Sequence, residues 1–184
     1  MDNEATIMPT EGAMPTMASA PAKRWNETTV DTWKVMREQA AVFIKSGFLP
    51  AHIKTPEQCL TIMIKGRELN IPPMQALAHI YVIGGKPACS SELQRALVYR
   101  EIPGAIFKCV ESTNEKCVYE AARPGTSPAL FTFTLEDAKR AGLLGKDTWT
   151  KYPRNLLNAR CSSEAARTVF PDALMGMSYT PEEL

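Results

Sequence analysis

Apolar residues at helical spacing predict two helices in the first third of the chain. The first is capped by Thr29 or Asp31, carries apolar residues every three or four positions and ends at Gly47. The second begins at Thr55, a favoured N-cap residue, and Gln58 three positions later completes a capping box. Both helices therefore have a start signal, and each has one apolar face to bury.

The pattern then changes to the alternation that is typical of a β-hairpin. Residues 80–83 form a β-branched and aromatic run, a Gly-Gly pair follows, and residues 86–89 return. Ser91, with Gln94 three positions later, predicts a capping box at the start of the next helix. The hairpin is thus expected between two helices.

Three further extended segments predict an antiparallel meander. They span residues 105–111, 116–122 and 130–133. In the first, alternation places Phe107, Cys109 and Glu111 on one face. Short connections favour pairing between consecutive strands.

A long basic helix is predicted near the end of the chain. It starts at Thr148 or Trp149, has Pro153 in its first two turns and ends at Phe170. Before it, Thr134 caps a short helix. The predicted fold class is therefore α+β: a small antiparallel β-sheet, made of the hairpin and the three-stranded meander, packs against helices.

The same periodicity divides the chain into three parts. Residues 1–22 are rich in Met, Pro, Thr and Ala without a hydrophobic period, which predicts a disordered N-terminal arm. Residues 23–174 are expected to form a single domain, and residues 175–184 a C-terminal tail.

Charge is unevenly distributed along the chain. The net charge of +1 argues against a polycationic protein, yet residues 139–167 carry +5 and the remainder −4. A local positive surface is what polyanion binding requires. A solvated helical face is the alternative explanation of the same charges.

The cysteine and histidine content argues against a zinc site. The five cysteines are scattered without a CxxC pair, and the chain has two histidines. Because the sequence shows neither a signal peptide nor a long apolar span, we expect reduced thiols, a cytoplasmic location and no membrane association.

Catalytic motifs are not recognisable. His79 lies among apolar residues of the predicted strand, where a structural role explains it. Glu136 and Asp137 open a helix, where acidic side chains suit the positive end of the dipole. A non-catalytic protein without a cofactor is therefore expected; an enzyme acting on nucleic acid, with these two carboxylates as metal ligands, is a minor alternative.

The long helix carries residue types that suit nucleic acid. Arg160 and Arg167 are two turns apart on one side, and guanidinium groups bind phosphates bidentately. Trp149 and Tyr152 could stack on bases or pack in the core, and both options stay open. Asn158 could reach sugar or phosphate as a neutral donor.

Four runs, in order and spacing over residues 48–174, resemble the phage RecT family of single-strand annealing recombinases. The runs are GRELNIPPMQAL (66–77), IYVIGGKP (80–87), TLEDAKRAGL (134–143) and WTKYPRNLLNAR (149–160). The resemblance implies an annealing-protein fold, in which an antiparallel sheet is backed by a long helix. It also implies assembly into rings or helical filaments, with DNA in a basic groove that runs across subunits.

The resemblance further implies a function, partners and a site. The function is ATP-independent binding and annealing of single-stranded DNA in phage homologous recombination. The partners are single-stranded DNA, the annealed duplex, a phage exonuclease and a host single-strand binding protein, in the bacterial cytoplasm. The candidate DNA-binding residues, including those from the helix, are Lys86, Lys139, Arg140, Lys146, Trp149, Lys151, Tyr152, Arg154, Asn158, Arg160 and Arg167.

Two alternatives concern these residues and the function. Some of the cations could make salt bridges between subunits instead of contacting DNA, and for Arg167 the two roles are evenly balanced. A phage assembly or structural oligomer without a DNA role is the main alternative function.

Overall fold

The computed structural model describes residues 30–177 and 179–181, so the predicted arm at residues 1–22 lies outside the described residues. Within this part, three helices precede a hairpin, a fourth helix precedes three consecutive strands, and four further helices follow. The elements are α1 (Val30–Lys45), α2 (Pro56–Glu68), α3 (Pro73–His79), β1 (Ile80–Ile83), β2 (Lys86–Cys89), α4 (Ser91–Glu101), β3 (Ile106–Ser112), β4 (Lys116–Ala122), β5 (Ala129–Thr134), α5 (Leu135–Arg140), α6 (Asp147–Lys151), α7 (Pro153–Val169) and α8 (Pro171–Leu174). None of these helices has the length and apolarity needed to cross a membrane.

The α+β class is confirmed, but the strands form two separate antiparallel sheets, so the prediction that the hairpin and the meander make one sheet is wrong. Strands β1 and β2 form a two-stranded hairpin, and β3, β4 and β5 form a three-stranded sheet in sequence order. At the hairpin turn, Gly84 and Gly85 have φ angles of 56° and 77°. Residues with a side chain rarely adopt such angles, which explains the Gly-Gly pair.

A β-bulge changes the predicted alternation in β3. The register shifts between Cys109, which lies opposite Tyr119, and Glu111, which lies opposite Val118. The extra residue, Val110, is left unpaired, so the side chains beyond it exchange faces. The prediction that Glu111 shares a face with Cys109 is therefore wrong.

Helix α7 packs across the three-stranded sheet and forms the centre of the core. It contributes the buried residues Leu157 and Cys161, while the sheet contributes Phe107 and Tyr119. The ring of Phe107 meets that of Phe170, just after α7, edge-on at a centroid distance of 5.5 Å. Such pairs stabilise cores beyond the area they bury. The sheet and α7 therefore hold each other in a fixed relative position.

The predicted long helix is two helices. It breaks at Tyr152, whose φ of −134° and ψ of 49° are not helical, between α6 and α7. Pro153 has no N–H, and its ring disfavours the helical conformation in the residue before it. The prediction of one continuous helix across Pro153 is therefore wrong, and Pro153 is instead the first residue of α7.

Two details around the hairpin also differ from the prediction. The N-cap of α4 is Ser90, whose Oγ accepts a hydrogen bond from the Leu93 amide at 3.2 Å; Ser91 is the first residue of the helix. His79 ends α3 instead of lying in a strand, and its Nδ1 is 3.0 Å from Ser90 Oγ. The hydroxyl of Ser90 therefore links the end of α3 to the start of α4.

Residues of the predicted C-terminal tail pack against the hairpin and α4. Met177 and Thr180 are fully buried. The carbonyl of Met177 accepts a hydrogen bond from Gln94 Nε2 at 3.2 Å, and that of Tyr179 accepts one from the Cys89 amide at 2.9 Å. These contacts join the hairpin, α4 and the last described residues.

Candidate nucleic-acid interface

Polar side chains from four elements meet where α7 crosses the sheet. They are Arg95 on α4, Ser112 at the end of β3, Tyr119 on β4, and Arg154 and Asn158 on α7, and we call them the seam cluster. Arg154 and Asn158 are four residues apart, so they lie on one side of the helix. The packing of α7 on the sheet brings both close to the strands.

The amide of Asn158 organises one half of the seam cluster. Its Oδ1 accepts hydrogen bonds from Arg95 Nη1 and Tyr119 Oη, each at 3.2 Å, and Arg95 Nη1 also donates to Tyr119 Oη at 3.0 Å. Since Oδ1 faces these donors, Nδ2 faces away and lies 3.6 Å from Cys109 Sγ. The three side chains therefore fix each other's positions.

Arg154 forms the other, exposed half of the seam cluster. Its Nε donates to Ser112 Oγ at 3.2 Å, which uses one of the five donors of the guanidinium. Within the described part of the chain, neither Arg154 nor Arg95 makes an ion pair with a carboxylate. Each of the two guanidinium groups thus keeps a positive charge that no described carboxylate pairs with.

Tyr119 is the buried member of the seam cluster. Its side chain is 3% exposed, and burial raises its pKa, an effect that Arg95 partly opposes. The phenol therefore remains protonated at neutral pH and can donate to Asn158. Its role is to position the amide, because a buried hydroxyl cannot reach a polymer in solution.

The predicted cations on α5, on α6 and at the N-cap of α6 are exposed and differ in their pairing. Arg140 lies 3.4 Å from Asp137, and Lys151 lies 3.0 Å from Asp147. Lys139 and Lys146 form no ion pair with any described residue. Ion pairs at the surface are weak, so all four remain capable of binding phosphate.

Lys139 and Arg140 border a shallow surface depression of about 630 Å³. Its remaining lining comes from Leu135, Glu136 and Leu144. Two cations thus lie beside two apolar side chains and one carboxylate on this surface.

Of the two aromatic candidates, Tyr152 is exposed and Trp149 is not. Tyr152 is 60% exposed beside Pro153, whereas Trp149 is 3% exposed and belongs to the hydrophobic core. Stacking on a base would require Trp149 to leave the core. The structure thus selects the packing role for Trp149, and Tyr152 remains the candidate for stacking.

Arg160 and Arg167 lie on a different side of α7 from Arg154. At about 100° per residue, Arg160 is about 120° around the helix from Arg154, while Arg160 and Arg167 are about 20° apart. Both are half-buried, and the guanidinium carbon of Arg160 is 5.1 Å from the centroid of the Phe133 ring. The structure therefore does not bring these two arginines into the seam cluster.

Lys86 is also separate from the seam cluster. It lies at the exposed start of β2, and its Nζ is 5.9 Å from the centroid of the Tyr179 ring. Its described contact is therefore with Tyr179, near the C-terminus, and not with a residue of the seam cluster.

The two carboxylates considered as metal ligands are at the start of α5. Asp137 completes a capping box in which its Oδ2 accepts hydrogen bonds from the amide and hydroxyl of Thr134 at 3.0 and 2.7 Å. These bonds hold the pKa of Asp137 below its ordinary value. Among the described residues, no group of three or more His, Cys, Asp or Glu side chains could hold a metal ion.

Comparison with protein families, curated proteins and solved structures finds no match for this chain. The geometry of the described residues is therefore the basis for its chemistry. That geometry adds one residue that the sequence does not reveal: Arg95 lies in an ordinary-looking helix, and only the packing of α4 against α7 brings it to Asn158.

Proposed function

We propose that the protein binds single-stranded DNA through its phosphates and promotes ATP-independent annealing of complementary strands. The observation that carries the proposal is the seam cluster, where Arg95 bonds Asn158 and Arg154, one helical turn before Asn158, bonds Ser112. Neither arginine makes an ion pair with a described carboxylate. Exposed Lys139 and Lys146 add positive charge in the segment that carries +5. The RecT-like runs in the sequence support the same function.

The mechanism follows from what limits annealing. Two strands repel each other through their phosphates, and lysine and arginine contacts reduce this repulsion without reading the sequence. Base edges remain available for pairing, and each base-pair step then contributes about 1.4 kcal/mol of stacking. Hybridisation can therefore proceed without nucleotide hydrolysis, and the protein needs no catalytic group.

The proposal includes the assembly and partners that the RecT resemblance implies. Copies of the chain form a ring or helical filament, and DNA follows a basic groove across successive subunits. The process served is phage recombination in the bacterial cytoplasm, with an exonuclease that exposes single strands and a host protein that coats them.

The salt dependence of binding tests the role of the seam cluster. Arg154→Ala should weaken binding to oligonucleotides of any sequence and lower the slope of log affinity against log salt by roughly 0.7. Arg37→Ala, which removes an exposed arginine from α1, is the matched control and should leave the slope unchanged. Equal slopes for wild type and Arg154→Ala would remove this arginine from the interface.

An assembly protein without a DNA role is the second candidate, and exposed apolar side chains near the first described helix favour it. Val30, Val42 and Phe48 are 87%, 64% and 77% exposed. A large oligomer is expected under both functions, so size-exclusion chromatography does not separate them. Failure to bind single-stranded DNA at low salt would favour the assembly protein.

An enzyme acting on nucleic acid remains the less favoured alternative. It would require Asp137 to leave its hydrogen bonds with Thr134 in order to bind a metal. Magnesium-dependent cleavage of labelled DNA that is lost on Glu136→Ala is the result that would establish it.

A further inference from the structure

Three of the five cysteines meet on the inner face of the three-stranded sheet. Cys109 Sγ on β3 is 3.8 Å from Cys117 Sγ on β4. Cys161 on α7 lies beside them, and its Sγ is 3.3 and 3.2 Å from the carbonyl oxygens of Cys117 and Phe131, either of which can accept its single proton. This is the one group of neighbouring thiols in the described part of the chain that the proposed function leaves unexplained.

The two strand cysteines are neighbours next to the β-bulge. Cys109 is opposite Tyr119, and Cys117 is opposite Ser112, so the pair is diagonal across the strands. Diagonal neighbours in a regular sheet are about 7–8 Å apart at Cα, but a bulge bends its strand locally. The two sulfurs are already in van der Waals contact, and a disulfide requires them to approach to about 2.0 Å.

The two thiols differ in access. Cys109 is exposed, whereas Cys117 is fully buried. The other buried cysteines have different neighbours: Cys59 Sγ contacts Met63 Sδ at 3.8 Å, and Cys89 Sγ contacts the Met177 carbonyl at 3.5 Å. A reagent in solution can therefore reach Cys109 first and find a second thiol directly behind it.

We propose that Cys109 and Cys117 form an intrachain disulfide when the protein meets a low-molecular-weight disulfide, and that this bond weakens DNA binding at the seam cluster. The first part stands on the cysteine geometry. The second part rests on the proposed function, since it concerns regulation of the same site.

The reaction exchanges one disulfide for another. The Cys109 thiolate attacks a sulfur of the oxidant, forms a mixed disulfide and releases one small thiol. The Cys117 thiolate then attacks Cys109 Sγ, forms the intrachain bond and releases the second small thiol. The two cysteines lose two electrons, which reduce the oxidant, and their two protons pass to the departing thiols.

The expected link to DNA binding runs through Asn158. Its Nδ2 lies 3.6 Å from Cys109 Sγ, and its Oδ1 holds Arg95. Movement of Cys109 Sγ towards Cys117 would lengthen its contact with Asn158 Nδ2. The Asn158 amide, which positions the Arg95 guanidinium, would then be held less firmly. The loss of one hydrogen bond of this kind corresponds to roughly a two- to tenfold change in affinity.

Peptide mapping tests the disulfide directly. The full chain is incubated with oxidised glutathione, alkylated, digested and examined by mass spectrometry. Wild type, Cys161→Ser and Cys59→Ser should all give a Cys109–Cys117 cross-linked peptide. Cys109→Ser should not, and because Cys109 is exposed this variant should fold. A bond that involves Cys161 instead, or glutathione adducts without an intrachain bond, would overturn the proposal.

DNA binding tests the regulation. Oxidised wild type should bind a single-stranded oligonucleotide two- to tenfold more weakly than reduced wild type, and dithiothreitol should restore the affinity. The affinity of Cys109→Ser should not respond to oxidised glutathione. Equal affinities of oxidised and reduced wild type would refute the regulation alone. If reduced protein does not bind DNA, the proposed function fails and the regulation with it, whereas the mapping still decides the disulfide.

Discussion

Individual side chains around Asn158 determine how much positive charge the seam cluster presents. The amide oxygen orients Arg95 without neutralising it, because an amide accepts hydrogen bonds but has no charge. Tyr119 donates to the same oxygen from the buried side. A carboxylate in this place would accept the same bonds and would also cancel the charge of the guanidinium.

Asn158→Asp should therefore weaken DNA binding while the fold remains stable. The new carboxylate pairs with Arg95, so the salt slope should fall by up to roughly 0.7 and the affinity with it. Asn155→Asp adds the same charge to an exposed position of α7 that contacts neither Arg95 nor Tyr119, and it should have a smaller effect. Fluorescence anisotropy over a salt series measures both; equal losses for the two variants would argue against a specific role for Arg95.

The sequence identifies only some of the residues that form the candidate site. The charge count of residues 139–167 identifies a basic segment, but it cannot separate exposed Lys139 from half-buried Arg160. Arg95 is invisible in the same count because it lies far from the segment along the chain. For Trp149, the sequence is equally compatible with stacking on a base and with packing in the core. Its exposure of only 3% decides in favour of core packing.

Some features of the helices and strands can be predicted from a few adjacent residues, and others cannot. The Gly-Gly hairpin and the caps at Thr55 and Thr134 are as predicted, since each depends on a few adjacent residues. The apolar spacing around Tyr152 favours one continuous helix, whereas Pro153 disfavours a helical conformation at Tyr152. Periodicity alone does not show which of the two effects is stronger. The bulge at Val110 depends on the partner strand and therefore has no local signal.

The capping box of α5 should make a measurable and pH-dependent contribution to stability. Thr134→Ala removes the hydroxyl that bonds Asp137 and should lower the free energy of unfolding by about 1 kcal/mol at neutral pH. The folded pKa of Asp137 is below its ordinary value of 3.8, so the part of this contribution that comes from the bond between the Thr134 hydroxyl and the Asp137 carboxylate is complete above pH 3.8 and is lost as the pH falls through the folded pKa. The bond from the Asp137 amide to the same hydroxyl does not depend on pH.

Denaturant unfolding at neutral and acidic pH measures this contribution. Thr150→Ala, at an exposed position within α6, is the control and should change stability little. A difference between wild type and Thr134→Ala that stays constant as the solution is acidified below the pKa would contradict the role of Asp137.

The packing of α2 against α3 should depend on Gly66. A Cβ added there would lie 2.4 Å from the Ala76 Cβ, and both residues are buried. Overpacking of this kind costs roughly 1–3 kcal/mol, more than the helix propensity that alanine adds. Gly66→Ala should therefore lower the unfolding midpoint. Gly145→Ala has open space around its new methyl group and should not; a stable Gly66→Ala would show that the two helices can separate without cost.

At the scale of the whole molecule, the charge asymmetry and the fold support the same proposal. The +5 segment covers α6, α7 and the end of α5, and the remaining −4 is spread over the rest of the chain. Because α7 crosses the sheet, Arg154 near its start bonds Ser112 at the end of β3, and Asn158 one turn later bonds Arg95 of α4. A rigid support for phosphate contacts is what annealing requires, since the strands must be neutralised while their bases stay accessible.

The rate of annealing between complementary oligonucleotides tests this proposal most directly. The protein is mixed with the two strands in low salt without nucleotide, and duplex formation is followed by fluorescence quenching. We predict that wild type accelerates duplex formation, that the double variant Arg95→Ala and Arg154→Ala accelerates it less, and that non-complementary strands give no signal. An annealing rate with wild type equal to that of the naked strands would contradict the proposed function.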